Sequence, residues 1–179
     1  MLQRIDARSV DSQLTRCVAR AALEGHPSPN FLYTSGKPNR YNSAGVQCVY
    51  FAEKLEIAVL EYERQMAGLP AARQPFIVFR ANVGLPVLDL TDPATVSALA
   101  LSPQDLYAPW RRSTKPTQTQ LLGEAIARQT RFAAIRYPSA AAKSIGSDGC
   151  GIAIFQNSVR SPSFVRIIGS TPTPLAEWP

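Results

Sequence analysis

The sequence is poor in the residues on which most zinc enzymes and many hydrolases depend. Of its 179 residues one is histidine and three are cysteines. A histidine-based zinc site or a Ser-His-Asp triad therefore has a single candidate, His26, in the loop-like stretch GHPSPN. Cys17, Cys48 and Cys150 show no paired spacing, which excludes a disulfide framework and a CxxC metal site. Each is either a small buried residue or a reactive thiol.

Long apolar runs are also absent. No stretch approaches the roughly 20 residues that a membrane-spanning helix needs, and the N-terminal MLQRIDARSVDSQLTR lacks the apolar segment of a secretory signal. We therefore predict a cytoplasmic protein without membrane contact. The length favours one domain over residues 1–179, with a proline-rich, extended tail over about 170–179.

The charge balance is positive. Nineteen Lys and Arg residues outnumber 13 Asp and Glu residues, which gives a net charge of +6. Such a surface favours an anionic partner, namely nucleic acid, a phosphorylated ligand or an acidic protein, although general solubility also explains it. The segment PWRRS (109–113) places Trp110 beside Arg111 and Arg112. This segment could stack a base and bind a phosphate, or it could be a short loop anchored by the indole.

Strand-like and helix-like segments follow one another in a mixed order. The patterns predict strands over 46–52, 74–84, 86–90, 132–139, 151–157 and 163–169, and helices over 53–68, 92–102 and 118–130. Gly68 is the predicted C-cap of the first helix, and Asp92 with Pro93 begins the second. The mixed order predicts an α+β fold with a mostly antiparallel, curved sheet.

The glycine-rich segment GSDGCG (146–151) is similar to a dinucleotide-binding loop only in composition. Its spacing is GxxGxG, and the strand-like IAIFQ follows it where the phosphate-binding mechanism needs a helix. We predict a hairpin loop. The sequence also contains no GxxxxGK[ST] motif, which excludes a P-loop.

The stretch NRYNSAGVQCVYFAEKLEIAVLEYE (39–63) gathers an arginine, tyrosines and glutamates around one strand and one helix. In the strand, Val49 and Phe51 share the face that suits the core, so Tyr50 faces a cleft or a second layer. On the helix, periodicity alone predicts Glu61 to be a solvated surface carboxylate. Arg40, taken alone, is a loop arginine.

Taken together, these residues resemble the signature of the RES domain family, the toxins of Xre-RES toxin–antitoxin pairs. The matching residues are Arg40, Tyr41, Asn42, Gly45, Tyr50, Ala52, Ala58 and Glu61, with intervals of 10 and 11 residues from Arg40 through Tyr50 to Glu61. Ser139 in FAAIRYPSA and the strand GIAIF extend the likeness over residues 36 to about 156. Two segments depart from the family pattern. The usual Gly-Arg-Trp-Asn reads Asn39-Arg40-Tyr41-Asn42 here, and Gly151 stands where Asn is often found.

The resemblance implies an ADP-ribosyltransferase-like fold, with a split, curved, mostly antiparallel sheet, flanking helices and a cleft for NAD⁺. It implies that NAD⁺ is the substrate and that no metal takes part. The nicotinamide–ribose bond would be cleaved by hydrolysis, by phosphorolysis, or by ADP-ribosyl transfer to a protein such as a nucleotide-metabolism enzyme, and growth would be arrested. Cleavage of such a glycosidic bond develops positive charge on the ribose.

The matched residues then take implied roles. Arg40 would hold phosphate through its planar guanidinium, and Tyr50 would stack on or orient the nicotinamide. Glu61 would bind a ribose hydroxyl and stabilise the developing cation. Ser139 would hydrogen-bond the nicotinamide side or position the acceptor.

The remaining implications concern the pocket wall and the partners. Tyr41 and Asn42 would line the pocket. The partners would be a cognate Xre-like, DNA-binding antitoxin and, for the transfer reaction, an acceptor protein, with no direct binding to nucleic acid. The alternative from another class is a basic nucleic-acid-binding module without enzymatic activity. Its binding should collapse between low and moderate salt, which separates the two hypotheses.

Overall fold

Seven strands and four helices form the described part of the chain in the computed structural model, which covers residues 2–20, 37–67, 75–129, 131–168 and 175–179. The strands are β1 (Arg8–Ala19), β2 (Cys48–Ala52), β3 (Phe76–Asp89), β4 (Ala134–Pro138), β5 (Cys150–Phe155), β6 (Phe164–Ile168) and β7 (Ala176–Trp178). The helices are α1 (Leu55–Met66), α2 (Pro93–Ala98), α3 (Gln118–Ala127) and α4 (Ala140–Ser144). The fold is α+β, as the sequence predicted. No helix in these ranges is long and apolar enough to cross a membrane.

One mixed sheet contains all seven strands, in the order β1-β2-β5-β4-β3-β6-β7. Every neighbouring pair is antiparallel except β3 and β4, which confirms the mostly antiparallel prediction. β1 also pairs with β3 along its whole length, from Arg8 opposite Val87 to Ala19 opposite Phe76. Five strands, β1, β2, β5, β4 and β3, therefore close into a circuit, and β6 and β7 extend from β3.

The two faces of this sheet bury different clusters. Val49 and Phe51 of β2 pack with Leu14, Val83 and Ile154 in the cluster that fills one face. The alternate residues Cys48 and Tyr50 belong to a second cluster, under α3 and the loops around it. The predicted division of β2 between two layers is confirmed, and it places Tyr50 on the face that carries the candidate site.

Several elements differ from the predicted ones for local reasons. The two segments predicted over 74–84 and 86–90 form one strand, β3. Pro86 has no backbone N–H to donate, but its carbonyl accepts from the N–H of Ala133 at 2.8 Å, so the strand continues through the proline. Asp92 caps α2 as predicted, accepting from the N–H of Ala94 at 3.0 Å. That helix ends earlier than predicted, because Ala100 takes a left-handed φ of 54°.

Three further predicted features have definite outcomes or fall outside the described ranges. GSDGCG covers the end of the connection between the antiparallel strands β4 and β5 and the first two residues of β5, but this connection also contains α4 and is longer than a hairpin loop. The end of the tail is extended, since Ala176–Trp178 pairs with β6. The predicted C-cap Gly68, the histidine His26 and residues 170–174 of the tail lie outside the described residues.

A part-buried network of ion pairs links the ends of the adjacent strands β3 and β4. The Arg136 guanidinium donates to both carboxylate oxygens of Glu53, at 2.6 and 3.1 Å, and to Asp89 at 3.2 Å. Asp89 also accepts from Thr91 and from Arg8, the latter at 2.7 Å. Burial alone would raise the pKa of Asp89, but these hydrogen bonds and Arg136 outweigh it and the pKa is lowered.

We expect Arg136→Met to lower the free energy of unfolding by about 2 kcal/mol, because it leaves Glu53 without its cation and Asp89 with Arg8 alone. The loss should shrink as the pH falls below the ordinary carboxyl range, since a carboxyl with a lowered pKa contributes stability only above that range. Urea denaturation at neutral and acidic pH measures both effects. Arg128→Met, which removes an exposed ion pair to Glu124, is the control and should cost under about 0.5 kcal/mol.

Candidate active site

The loop that carries Arg40 is held rigidly by a buried asparagine. Asn42 is fully buried. Its amide nitrogen donates to the carbonyls of Lys37 at 3.0 Å, Ser43 at 3.2 Å and Val46 at 3.4 Å. Its side-chain oxygen accepts from the Tyr50 hydroxyl at 2.8 Å. All of its polar atoms are used inside the protein, so Asn42 shapes the loop from behind.

Arg40 projects from this loop and is anchored at one end of its guanidinium. Its Nη1 donates to the carbonyls of Leu106 at 2.9 Å and Ala108 at 3.0 Å. The side chain is half-buried, and its Nε and Nη2 have no hydrogen-bond partner among the described residues. A guanidinium fixed at one nitrogen retains an edge that can bind an anion through two donors.

Three tyrosines pack together beneath the loop. The Tyr50 hydroxyl accepts from the N–H of Tyr41 at 3.0 Å, which ties β2 to the Arg40 loop. The rings of Tyr41 and Tyr137 lie 4.6 Å apart, and Tyr50 meets Tyr137 edge-on at 6.5 Å. Burial raises the pKa of each of the three hydroxyls above its usual range, so all three stay neutral. The Tyr41 hydroxyl is buried and has no hydrogen-bond partner among the residues that the structure describes.

Glu61 and Ser139 meet across 78 residues of sequence, where the Ser139 hydroxyl donates to Glu61 Oε1 at 2.7 Å. Ser139 is 1% exposed and caps α4, because its oxygen accepts from the N–H groups of Ala141 at 3.2 Å and Ala142 at 3.3 Å. These two bonds occupy the lone pairs of the hydroxyl and direct its proton to the carboxylate. The cap of α4 therefore also orients Glu61.

The environment of Glu61 contradicts the prediction from helical phase. The side chain is half-buried rather than a solvated surface group. Burial raises the pKa of its carboxyl group, while the Ser139 hydrogen bond and the nearby guanidinium groups of Arg40 and Arg16 act to lower it. A carboxylate in this setting is partly desolvated, and it therefore interacts more strongly with a neighbouring positive charge than a surface glutamate does.

Arg16 is the site residue that sequence reasoning missed. It lies on β1, for which the sequence predicted no element, and its Nη1 donates to the carbonyl of Tyr50 at 2.7 Å. Its Nε is buried and has no hydrogen-bond partner within the described ranges. Burial lowers its pKa, while nearby Tyr50 and Glu61 act to raise it. No local motif marks Arg16, because only the pairing of β1 with β2 and β3 brings it here.

Comparison with known protein families gives a match over nearly the whole chain. The profile of the RES domain matches residues 5–175 of the 179-residue chain. The chain belongs to the RES domain family. This membership is consistent with a toxin–antitoxin-associated module and with an NAD-related, enzyme-like domain. No curated protein matches the sequence.

The predicted residues of this RES domain fall into two groups. Arg40, Tyr50, Glu61 and Ser139 come together from the loop, β2, α1 and the start of α4, and Arg16 joins them from β1. Tyr41 and Asn42 belong to the same loop as Arg40, but their side chains are fully buried. They fix the position of Arg40 and present no polar atom outward. The group thus combines two guanidinium groups with one carboxylate, which suits an anionic ligand that develops local positive charge.

Gly151, which departs from the family pattern, is explained by its neighbour across the sheet. Gly151 lies opposite Tyr137 in the β4–β5 pairing. A Cβ on Gly151 would lie 2.3 Å from the hydroxyl oxygen and Cζ of Tyr137. The Tyr137 ring therefore occupies the space in which a longer side chain would stand.

The remaining sequence candidates lie in other settings. Cys17, Cys48 and Cys150 form no disulfide, and burial raises the pKa of each thiol, that of Cys17 to about 11, which disfavours the nucleophilic thiolate at neutral pH. Trp110 and Arg111 lie in a short 3₁₀ turn, with the Arg111 guanidinium 5.1 Å from the centre of the indole ring. Within the described ranges, no group of three His, Cys, Asp or Glu side chains could hold a metal ion.

Proposed function

We propose that this RES domain cleaves the nicotinamide–ribose bond of NAD⁺. The observation that carries the proposal is the 2.7 Å hydrogen bond from Ser139 to Glu61, beside the guanidinium groups of Arg16 and Arg40. NAD⁺ combines an anionic diphosphate with a ribose that becomes cationic as nicotinamide leaves. The site offers cationic groups for the first and a carboxylate for the second.

Glu61 is the residue that acts on the bond that breaks. Its carboxylate accepts a hydrogen bond from a ribose hydroxyl and stabilises the positive charge that develops on the ribose. Ser139 holds this carboxylate in one orientation before the substrate binds. Because orientation is fixed in advance, little reorganisation is needed in the transition state.

The arginines and tyrosines bind and orient the dinucleotide. Arg40 binds phosphate through the guanidinium edge that Leu106 and Ala108 leave free. Arg16 adds a second positive charge, although its contact with the Tyr50 carbonyl makes it equally a support for β2. The hydroxyl of Tyr50 is committed to the Arg40 loop, so its ring is the part that orients the nicotinamide.

Membership of the RES domain family supports a biological role. We propose a cytoplasmic toxin that depletes NAD⁺ or modifies a protein, arrests growth, and is neutralised by an Xre-like, DNA-binding antitoxin. We propose that the sheet, in which five strands form a circuit, is the split sheet of an ADP-ribosyltransferase-like fold. No metal is needed, because nicotinamide is already a competent leaving group. The acceptor is water or phosphate if free NAD⁺ is broken down, and a side chain if ADP-ribose is transferred to a protein.

Nicotinamide release from NAD⁺ by the purified protein tests the proposal. Chromatography of reactions with and without phosphate distinguishes ADP-ribose from ADP-ribose 1″-phosphate, and therefore hydrolysis from phosphorolysis. Labelled NAD⁺ in a cell lysate reports transfer to a protein. Absence of nicotinamide release and of protein labelling by folded protein would refute the proposal.

Ser139→Ala is expected to shift the acid limb of the pH–rate profile to higher pH. The Ser139 hydrogen bond lowers the pKa of Glu61, so its removal raises that pKa, and the active carboxylate forms only at higher pH. The profile of kcat/KM between about pH 5 and 9 measures the shift. Asp92→Ala, which removes the cap of α2, is the control and should leave the profile unchanged.

A further inference from the structure

A lysine stands over an aromatic ring beside the proposed site. The Lys143 ammonium lies 4.0 Å from the centre of the Tyr107 ring, well inside the range of a cation–π contact. Lys143 lies on α4, the helix that Ser139 caps, about 6 Å further along the helix axis. Its side chain is exposed and forms no ion pair with any described residue.

The backbone on both sides of this tyrosine binds Arg40. The two carbonyls that accept from Arg40 Nη1 belong to Leu106 and Ala108, the residues on either side of Tyr107. Tyr107 is half-buried and packs against the cluster that contains Tyr41 and Tyr137. One short segment therefore holds two cations, Arg40 through its backbone and Lys143 through its ring.

This arrangement differs from ordinary surface charge. Among the four lysines, Lys54 pairs with a carboxylate, since its Nζ lies 4.0 Å from Glu56 Oε1. Lys143 instead contacts the uncharged ring of Tyr107, so no carboxylate in that contact competes with an anionic ligand for its ammonium group. Arg40 likewise keeps an unpaired guanidinium edge. Neither cation forms an ion pair with a carboxylate in the part of the chain that the structure describes.

From this geometry we propose that Arg40, Tyr107 and Lys143 form a clamp for the diphosphate of the substrate, and that Lys143 makes the enzyme selective for diphosphate-bearing nicotinamide nucleotides over nicotinamide riboside. The inference rests on the proposed function. It fits the order of groups in NAD⁺, where one ribose separates the scissile bond from the diphosphate. Ser139 with Glu61 meets the scissile end, and Lys143 on the same helix as Ser139 meets the phosphate end.

The test compares Lys143→Gln with Lys115→Gln, an exposed lysine whose loss changes the net charge equally. Isothermal titration measures binding of ADP-ribose, and nicotinamide release measures turnover of NAD⁺ and of nicotinamide riboside. For Lys143→Gln we expect a rise of about fivefold in the Kd for ADP-ribose and in the KM for NAD⁺. The kcat for NAD⁺ and the kcat/KM for nicotinamide riboside should stay within about twofold, and Lys115→Gln should change none of these values.

The outcomes separate the clamp from the reaction. If NAD⁺ is cleaved and Lys143→Gln behaves like Lys115→Gln, the clamp is wrong and the proposed function stands. An equal loss for NAD⁺ and nicotinamide riboside would also overturn the clamp, because Lys143 would then act through α4 and Ser139. If NAD⁺ is not cleaved but ADP-ribose binds with the expected dependence on Lys143, the clamp stands and the proposed reaction fails. Failure of the wild-type protein to bind ADP-ribose would overturn the clamp.

Discussion

Glu61→Gln is expected to lower the rate of nicotinamide release from NAD⁺ by about a thousandfold, while the protein remains folded. Glutamine has nearly the shape of glutamate, and its carbonyl oxygen can still accept from the Ser139 hydroxyl. The substitution therefore removes the negative charge and little else. Because that charge stabilises the cationic ribose only as the bond breaks, kcat should fall far more than the affinity for NAD⁺.

Single-turnover release of nicotinamide and binding of ADP-ribose measure the two parts of this prediction separately. Glu63→Gln is the matched control, since it removes an exposed carboxylate from the same helix, α1. It should change the rate by less than about twofold, as expected for a screened surface charge. A Glu61→Gln enzyme that retains more than a tenth of the wild-type rate would exclude Glu61 from the chemistry.

The residues that local patterns identified are those whose neighbours are close in sequence. Val49 and Phe51 alternate with Tyr50, so the strand and its buried face were predictable from β2 alone. The start of α2 was likewise predictable, because Asp92 is its N-cap and Pro93 its first residue. In these cases the local preference and the tertiary environment agree.

β1 was not predictable because its pattern is ambiguous. Its buried apolar residues Val10, Leu14 and Val18 recur every four positions, which is a helical spacing, with polar residues between them. The strand forms because β3 provides twelve register partners over the whole of β1. Since Arg16 belongs to this strand, the missed strand and the missed site residue have the same cause.

The burial of the Glu61 side chain could not be predicted from the sequence around it. Its phase on α1 places it near the boundary of the buried face, and nothing nearby in sequence shows which side of that boundary it takes. The deciding contact comes from Ser139, 78 residues away, at a helix cap that no pattern predicted. The family resemblance supplied Glu61 and Ser139 as separate candidates, and the geometry joins them in one hydrogen bond.

Gly123→Ala is expected to lower the free energy of unfolding by about 3 kcal/mol. Helix propensity alone predicts the opposite sign, a gain of about 1 kcal/mol for alanine in the middle of α3. The reversal follows from packing, because a Cβ at Gly123 would lie 1.7 Å from the carbonyl oxygen of Tyr41. That atom belongs to backbone, so no side-chain rotation relieves the overlap.

The Tyr41 backbone cannot move away from the overlap without the loss of hydrogen bonds that hold its loop. Asn42 fastens the loop from within, and Gln120, on the same helix as Gly123, donates to the carbonyl of Asn39 at 2.9 Å. Displacing α3 from the loop would therefore break contacts on both sides of Arg40. We expect the folded fraction of Gly123→Ala to bind ADP-ribose more weakly as well, since Arg40 moves with the loop.

Urea denaturation of Gly123→Ala beside Ala125→Gly measures the effect of packing directly. Ala125 is exposed on the same helix, so its replacement reports propensity alone and should cost about 1 kcal/mol. If Gly123→Ala were instead as stable as the wild type, α3 would not press on the Arg40 loop. Close approach of the two backbones explains why a glycine stands in the middle of α3, and it makes the position of Arg40 depend on a helix that contributes no side chain to the proposed chemistry.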